Sequence, residues 1–222
     1  MARTRKSLER GEPFRDSTLV LVATEGAQTE KKYFERLTSR EVFGTSRLRV
    51  VVASNSEHQS DPQHVLENLK QLAERYQLGD GDVAYLVIDR DRWEQRNLAE
   101  VASECGQCGF DLIVSNPCFE LWFLLHRVDA SELSAAEQDR LLENAKLSRD
   151  RKYIDRCIVD EFGSYQKRRP YNSEFLELVY IRSALSNARK LDHSPGHRWP
   201  EYLCTRVYQV VSLLLKTFID DQ

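Results

Sequence analysis

The stretch Val83-Ala-Tyr-Leu-Val-Ile-Asp-Arg-Asp91 decides the fold. Six apolar residues run directly into an acidic pair. A short strand with no polar alternation has both faces covered, as in a parallel sheet flanked by helices. Thr18-Leu-Val-Leu-Val-Ala23 repeats the pattern and runs into Thr24-Glu25-Gly26. Between the two lie Leu48 to Ala53, a second β-rich run, and a helical stripe of Val65, Leu66, Leu69, Leu72, Ala73 and Tyr76 introduced by Asp61-Pro62. An aspartate cap followed by a first-turn proline is a helix start, and Gly79 is the expected stop. Thr29 is the expected cap of a helix carrying Tyr33, Phe34 and Leu37, and a helix around Leu98 to Cys105 leads to a fourth strand at Phe110 to Val114.

This βαβαβαβ rhythm predicts an α/β fold with a mostly parallel four-stranded sheet. From Pro117 onward the chain shows helical periodicity and no convincing strand, including a stripe between Ser173 and Leu191. The expected organisation is a basic N-terminal segment at 1–17, an α/β core at 18–127 and a helical region at 128–222 packed on that core.

Composition narrows the function classes. The chain has 222 residues, 41% hydrophobic and 30% charged, with a formal net charge of −3. That balance is expected of a globular protein with a sizeable core. The longest apolar runs, near Cys118 to Leu125 and Val210 to Leu215, are too short to span a bilayer. The basic start, Met1 to Arg10, is followed by no apolar stretch that would make it a secretory signal. Five cysteines, an odd number, suit reduced thiols, so a cytoplasmic location is expected. With no global positive charge, any polyanion site has to be local, as at Lys167-Arg168-Arg169 or Arg189-Lys190.

Carboxyl ends of parallel strands are where ligands bind. Glu25, Asp89 and Asp91 all fall there. If the backbone stays extended, Asp89 and Asp91 leave the same face while Arg90 points away. Clustered carboxylates repel, and a hard cation such as Mg²⁺ offsets that repulsion. The plain alternative is that these acids cap the turns and helices that follow. Ser115-Asn-Pro-Cys-Phe-Glu120-Leu-Trp122 places Glu120 at the same sheet edge in an apolar segment, as a further ligand or as a partner of the helix dipole.

Other constellations are weaker. Cys105-Gly-Gln-Cys108 has zinc-like spacing, with His193 and His197 as a formal second half, but its place before a core strand favours packing. His126 reads as a satisfied core residue. Tyr165, Lys167, Arg168 and Arg169 set an aromatic beside a cationic cluster, able to contact phosphates and a base or to form a solvated loop. No phosphate-cradling lysine loop, nucleophile elbow or metalloprotease helix is present, so ATP hydrolysis by this chain is not expected.

The order Thr24-Glu25-Gly26, Thr29-Glu30, Tyr33-Phe34, Asp89-x-Asp91, Asn116-Pro-Cys-Phe-Glu-Leu-Trp122, His126, Tyr165 and Lys167 resembles the RloB-like family of bacterial defence proteins. The resemblance runs from about Thr18 to Leu215. It implies a Toprim-like core in which Glu25, Asp89 and Asp91 bind Mg²⁺ or Mn²⁺, and an effector nuclease acting beside a partner ATPase of the AAA or ABC type in anti-phage or abortive-infection defence. DNA, tRNA or other RNA is the implied substrate, and a second copy of the chain stands beside nucleic acid and the ATPase among the candidate partners. In that reading the metal activates water, Glu25 is ligand or general base, Lys167 stabilises charge on the phosphate, and Glu120 adds or orients a ligand. Two rivals stand beside it. Val87-Ile-Asp89-Arg-Asp91 also resembles the opening motif of haloacid-dehalogenase-type phosphatases, although no acidic pair follows a later strand. The chain is otherwise a non-catalytic nucleic-acid-binding or sensing subunit of an ATPase complex.

Overall fold

The computed structural model describes residues 17–26, 28–54, 61–91, 93–149, 151–166 and 172–221. Four strands, β1 (Thr18–Thr24), β2 (Leu48–Ser54), β3 (Val83–Asp89) and β4 (Asp111–Asn116), lie parallel. A fifth, β7 (Cys204–Thr205), runs antiparallel to β4, and the sheet order is β2-β1-β3-β4-β7. The expectation of four strands is therefore corrected to five, and so is the expectation of no strand after Pro117. Two further short strands, β5 (Lys146–Ser148) and β6 (Arg151–Lys152), form a separate hairpin. Segments of two or three residues carry no readable alternation, and only their partners define them as strands. For β7 these are the Arg206 N–H to Val114 carbonyl bond at 3.1 Å and a 2.7 Å bond between the Ser115 and Thr205 hydroxyls.

Side-chain alternation along the strands feeds two apolar layers. Val20 and Val22 face one side with Tyr85, Val87 and Ile113, and Leu19, Leu21 and Ala23 face the other with Ala84, Leu86, Ile88 and Val114. The second side is covered by α2 (Pro62–Tyr76) and α3 (Gln95–Cys108). The first is covered by α1 (Thr29–Leu37), α4 (Glu120–Leu124), α6 (Tyr153–Phe162), α7 (Leu178–Leu191) and α8 (Val207–Asp220). A further helix, α5 (Ala135–Glu143), precedes the hairpin, and a 3-10 turn spans Ser173–Leu176. Tyr33, Phe34, Phe119, Trp122 and Phe123 meet edge to face at the centre of this layer, the geometry their ring quadrupoles favour.

Local signals set the helix limits with two adjustments. Asp61 caps α2 as expected, its carboxylate accepting from the Gln63 N–H at 2.8 Å. That helix stops at a left-handed Gln77, two residues before Gly79. Thr29 is the first residue of α1 and not its cap. Pro117 follows a cis Asn116–Pro117 bond and lies before the short α4.

Candidate functional site

The carboxyl ends of β1, β3 and β4 meet where the acidic motifs were expected to meet. Glu25 follows β1, and its backbone N–H donates to the Val87 carbonyl at 3.1 Å, which continues the ladder past the strand. Its side chain turns toward β3, where one oxygen accepts from the Asp89 N–H at 3.2 Å and the Trp93 indole N–H at 3.1 Å. Thr24 supports the turn by donating its hydroxyl to the Gly26 carbonyl at 3.0 Å.

Asp89 is the last residue of β3 and is buried. The Phe119 N–H donates to its carboxylate at 2.8 Å, which ties the strand to the segment between Pro117 and α4. The backbone does not stay extended beyond it. Arg90 N–H donates to the Ser115 carbonyl at 2.8 Å and Asp91 N–H to the Pro117 carbonyl at 3.1 Å, so the chain bends over the end of β4. The acidic pair therefore shares a site through this bend and not through strand alternation. Asp91, with 18% of its side chain exposed, forms an ion pair with Lys152 at the end of the β5–β6 hairpin.

Glu120 lies in the first turn of α4, buried, and accepts from the Tyr165 hydroxyl at 3.4 Å. This changes the expected role of Tyr165. The residue is 7% exposed and tilted against Phe123, so it supports the carboxylates and presents no free ring for a base. Lys167, Arg168 and Arg169, expected at a phosphate site, lie outside the described residues.

Glu30 is a member of the cluster that motif reading left out of the site. It sits in the first turn of α1, buried, five residues beyond Glu25. Gly26 makes room for it, since a Cβ there would fall 1.8 Å from a Glu30 carboxylate oxygen. A second acid so soon after a strand end was the available signal. Lys152 had none, because it reaches Asp91 across 61 positions of sequence.

Electrostatics bind these residues into one unit. Burial raises the Asp89 carboxyl well above the usual carboxylate range, and the negative charges of Glu30, Glu25, Glu120 and Asp91 raise it further. Five hard oxygen-donor side chains thus surround one sheet edge, the donor type that suits Mg²⁺ or Mn²⁺. Among the described residues no three His, Cys, Asp or Glu side chains are disposed to hold a metal ion as they stand.

The remaining candidates are structural. His126 is buried, with its ring nitrogens 2.9 Å and 3.2 Å from the Trp122 and Phe175 carbonyl oxygens. Cys105 is a buried thiol of the α3 layer, as expected for packing, while Cys108 at the end of the same helix is exposed. Among the described residues no helix is long and apolar enough to cross a membrane.

No curated protein and no solved structure matches the chain. The model of the family described as RloB-like protein matches residues 20–214. With most of its length covered, the chain belongs to the RloB-like family.

Proposed function

We propose that the protein is a metal-dependent nuclease of Toprim-like type that hydrolyses phosphodiester bonds of DNA or RNA in anti-phage defence, controlled by a partner ATPase. The observation that carries this reading is the burial of Asp89 among Glu25, Glu30, Asp91 and Glu120 at the carboxyl edge of the sheet. Burying one carboxylate beside four others is unfavourable unless protons or a cation offset the charge. Glu25, Asp89 and Asp91 would hold Mg²⁺ or Mn²⁺, with Glu30 and Glu120 beside them. The bound cation would supply Lewis acidity and lower the pKa of water.

The protein's own groups have separable tasks in this reading. Trp93 fixes the Glu25 carboxylate through the indole N–H, and the Phe119 N–H fixes Asp89. Tyr165 orients Glu120. Glu25 also serves as the candidate proton acceptor for the attacking water. Lys152, held by Asp91, would meet a phosphate at the site rim, the charge-stabilising task that the family resemblance gave to Lys167.

Plasmid DNA, total RNA and tRNA incubated with Mg²⁺, Mn²⁺ or EDTA, using wild type, Glu25→Ala and Asp89→Ala, test the proposal. Metal-dependent cutting lost in both folded variants is expected. A folded variant that cuts at the wild-type rate would remove the mechanism. One observation favours a second reading, a binding or sensing subunit without turnover. The carboxylates already have protein partners in Trp93, Phe119, Lys152 and Tyr165. That reading gains if wild type, with and without its ATPase, leaves every substrate whole.

A further inference from the structure

The segment Lys146-Leu-Ser-Arg-Asp-Arg-Lys152 carries four cations and one acid in seven residues of a chain whose net charge is −3. Its residues Lys146–Ser148 and Arg151–Lys152 pair as the β5–β6 hairpin. Lys146, Arg149 and Arg151 are exposed, and none of them forms an ion pair among the described residues. Lys146 is the direct cross-strand neighbour of Lys152. Like charges placed opposite one another destabilise a strand pair, and a two-stranded hairpin is marginal alone. This arrangement opposes the hairpin's own stability and favours binding a polyanion.

Its base is held rigidly at the site. Asn144, in the left-handed region at φ 45°, accepts from the Ile154 N–H at 3.0 Å and donates to the Cys118 sulfur at 3.3 Å. The Tyr153 N–H donates to the Ala145 carbonyl at 3.0 Å, and Lys152 pairs with Asp91. The hairpin thus stands on the segment that also donates the Phe119 N–H to Asp89. Leu147, 54% exposed where the strand register shifts, adds apolar surface for a sugar or base.

We propose that the β5–β6 hairpin is a phosphodiester-backbone clamp, in which Lys146, Arg149 and Arg151 grip nucleic acid and deliver it past Lys152 to the carboxylate site. The proposal deepens the nuclease reading and rests on it for the choice of polyanion. The other basic surface, the groove of about 690 Å³ between α7 and α8 with Arg182, Arg189, Lys190 and Lys216 on its walls, differs in kind. Its lining includes Leu185, Leu215, Ile219 and Asp220. It also lies toward the opposite sheet edge, because α8 starts beside the end of β4 and finishes at Asp221, which pairs with Arg47 just before β2.

Fluorescence polarisation in EDTA with duplex DNA, duplex RNA and single-stranded DNA isolates binding from hydrolysis. The full chain is compared with a Lys146→Ala/Arg149→Ala/Arg151→Ala variant and with Arg182→Ala/Lys216→Ala, thermal unfolding confirming that each folds. The hairpin variant is expected to lose about tenfold or more in affinity. Its slope of log K against log salt is expected to shrink by about 0.9 per lost phosphate contact on duplex and about 0.7 on single strands. The groove variant is expected to match wild type, and the three probes identify the preferred nucleic acid. The clamp is overturned if wild type binds no probe, if the hairpin variant keeps wild-type affinity and slope, or if the groove variant alone loses binding. It is also overturned if polyglutamate competes as well as nucleic acid, which would make the ligand an acidic protein. Hairpin-dependent binding by a wild type that never cuts would leave the clamp standing and remove the nuclease. Cutting that survives in a variant with wild-type affinity would do the reverse.

Discussion

At the scale of the residue, Asp89 carries the sharpest consequence. Its carboxyl is pushed up by burial and by four neighbouring acids, so neutralising it should not harm the fold. In Asp89→Asn the side-chain oxygen that accepts from Phe119 remains. We expect this variant to melt no lower than wild type in EDTA, by differential scanning fluorimetry. Added Mg²⁺ or Mn²⁺ should raise the wild-type Tm, by mass action, as about 2.7 kcal/mol at a hundredfold excess over Kd, and should do little for the variant. Equal metal-induced shifts in both proteins would place the ion elsewhere. His126 supplies a pH dependence of known sign. Burial pushes its imidazole down to about 4 from an ordinary 6.5, so the unfolded chain takes up the proton first. The stability from the neutral ring is complete above about pH 6.5 and is lost as pH falls toward about 4, on the order of 3 kcal/mol in total. Urea titrations from pH 7 to 4 should show this slope, and it should flatten in His126→Gln. The Tyr33 hydroxyl and Trp122 indole N–H lie buried, with no hydrogen bond of normal geometry among the described residues. Removing one of them in Tyr33→Phe should leave stability unchanged or raise it by about 1 kcal/mol. A loss of more than that in the same titration would reveal a bond that relaxed geometry completes.

At the scale of the element, the loop from α7 to β7 depends on a buried ion pair. Arg206 donates to the Asp192 carboxylate at 3.2 Å and to the His197 and Ser194 carbonyls at 2.6 and 2.9 Å. Tyr202 and Tyr208 also donate to Asp192. Asp192→Ala would leave the guanidinium buried without its counter-charge, and we expect a loss of about 3–5 kcal/mol in denaturant unfolding. A loss below about 1 kcal/mol would show that the carbonyls alone satisfy Arg206. Elements also mark where sequence was readable. β1 and β3 announce themselves by continuous apolar runs, and α2 by its cap and its stripe. β5, β6 and β7 do not, because a strand of two or three residues exists only through its partner. The acidic cluster was legible through Glu25, Asp89, Asp91 and Glu120, each tied to a strand end. The burial of Tyr165 was not legible, because it depends on Phe123 and Phe175, remote in sequence.

At the scale of the molecule, one apolar layer joins the α/β part to the C-terminal helices. Val20, Val22 and Val87 of the sheet share that layer with Ile154, Ile158, Phe175, Ile181, Val210 and Leu214. A fragment ending at Arg127 would expose the part of this face that α6, α7 and α8 cover, including the side of α4 that carries Trp122 and Phe123. We expect it to retain helical circular dichroism but lose near-ultraviolet signal and bind ANS, the signs of lost packing. A cooperative unfolding transition in that fragment would show that the sheet and its first helices suffice as a domain.

By itself the sequence determined the alternation of strands and helices, the parallel sense of the first four strands and the identity of most acids at its carboxyl edge. These follow from side-chain period, capping chemistry and the rule that parallel strands end together, all of which act over a few residues. Only the tertiary structure decided that Lys152 meets Asp91, that Tyr165 is buried on Glu120 and that a basic hairpin stands at the rim. Those contacts span tens of positions. They arise from how layers pack and how charges find counter-charges once packed, which no local pattern records.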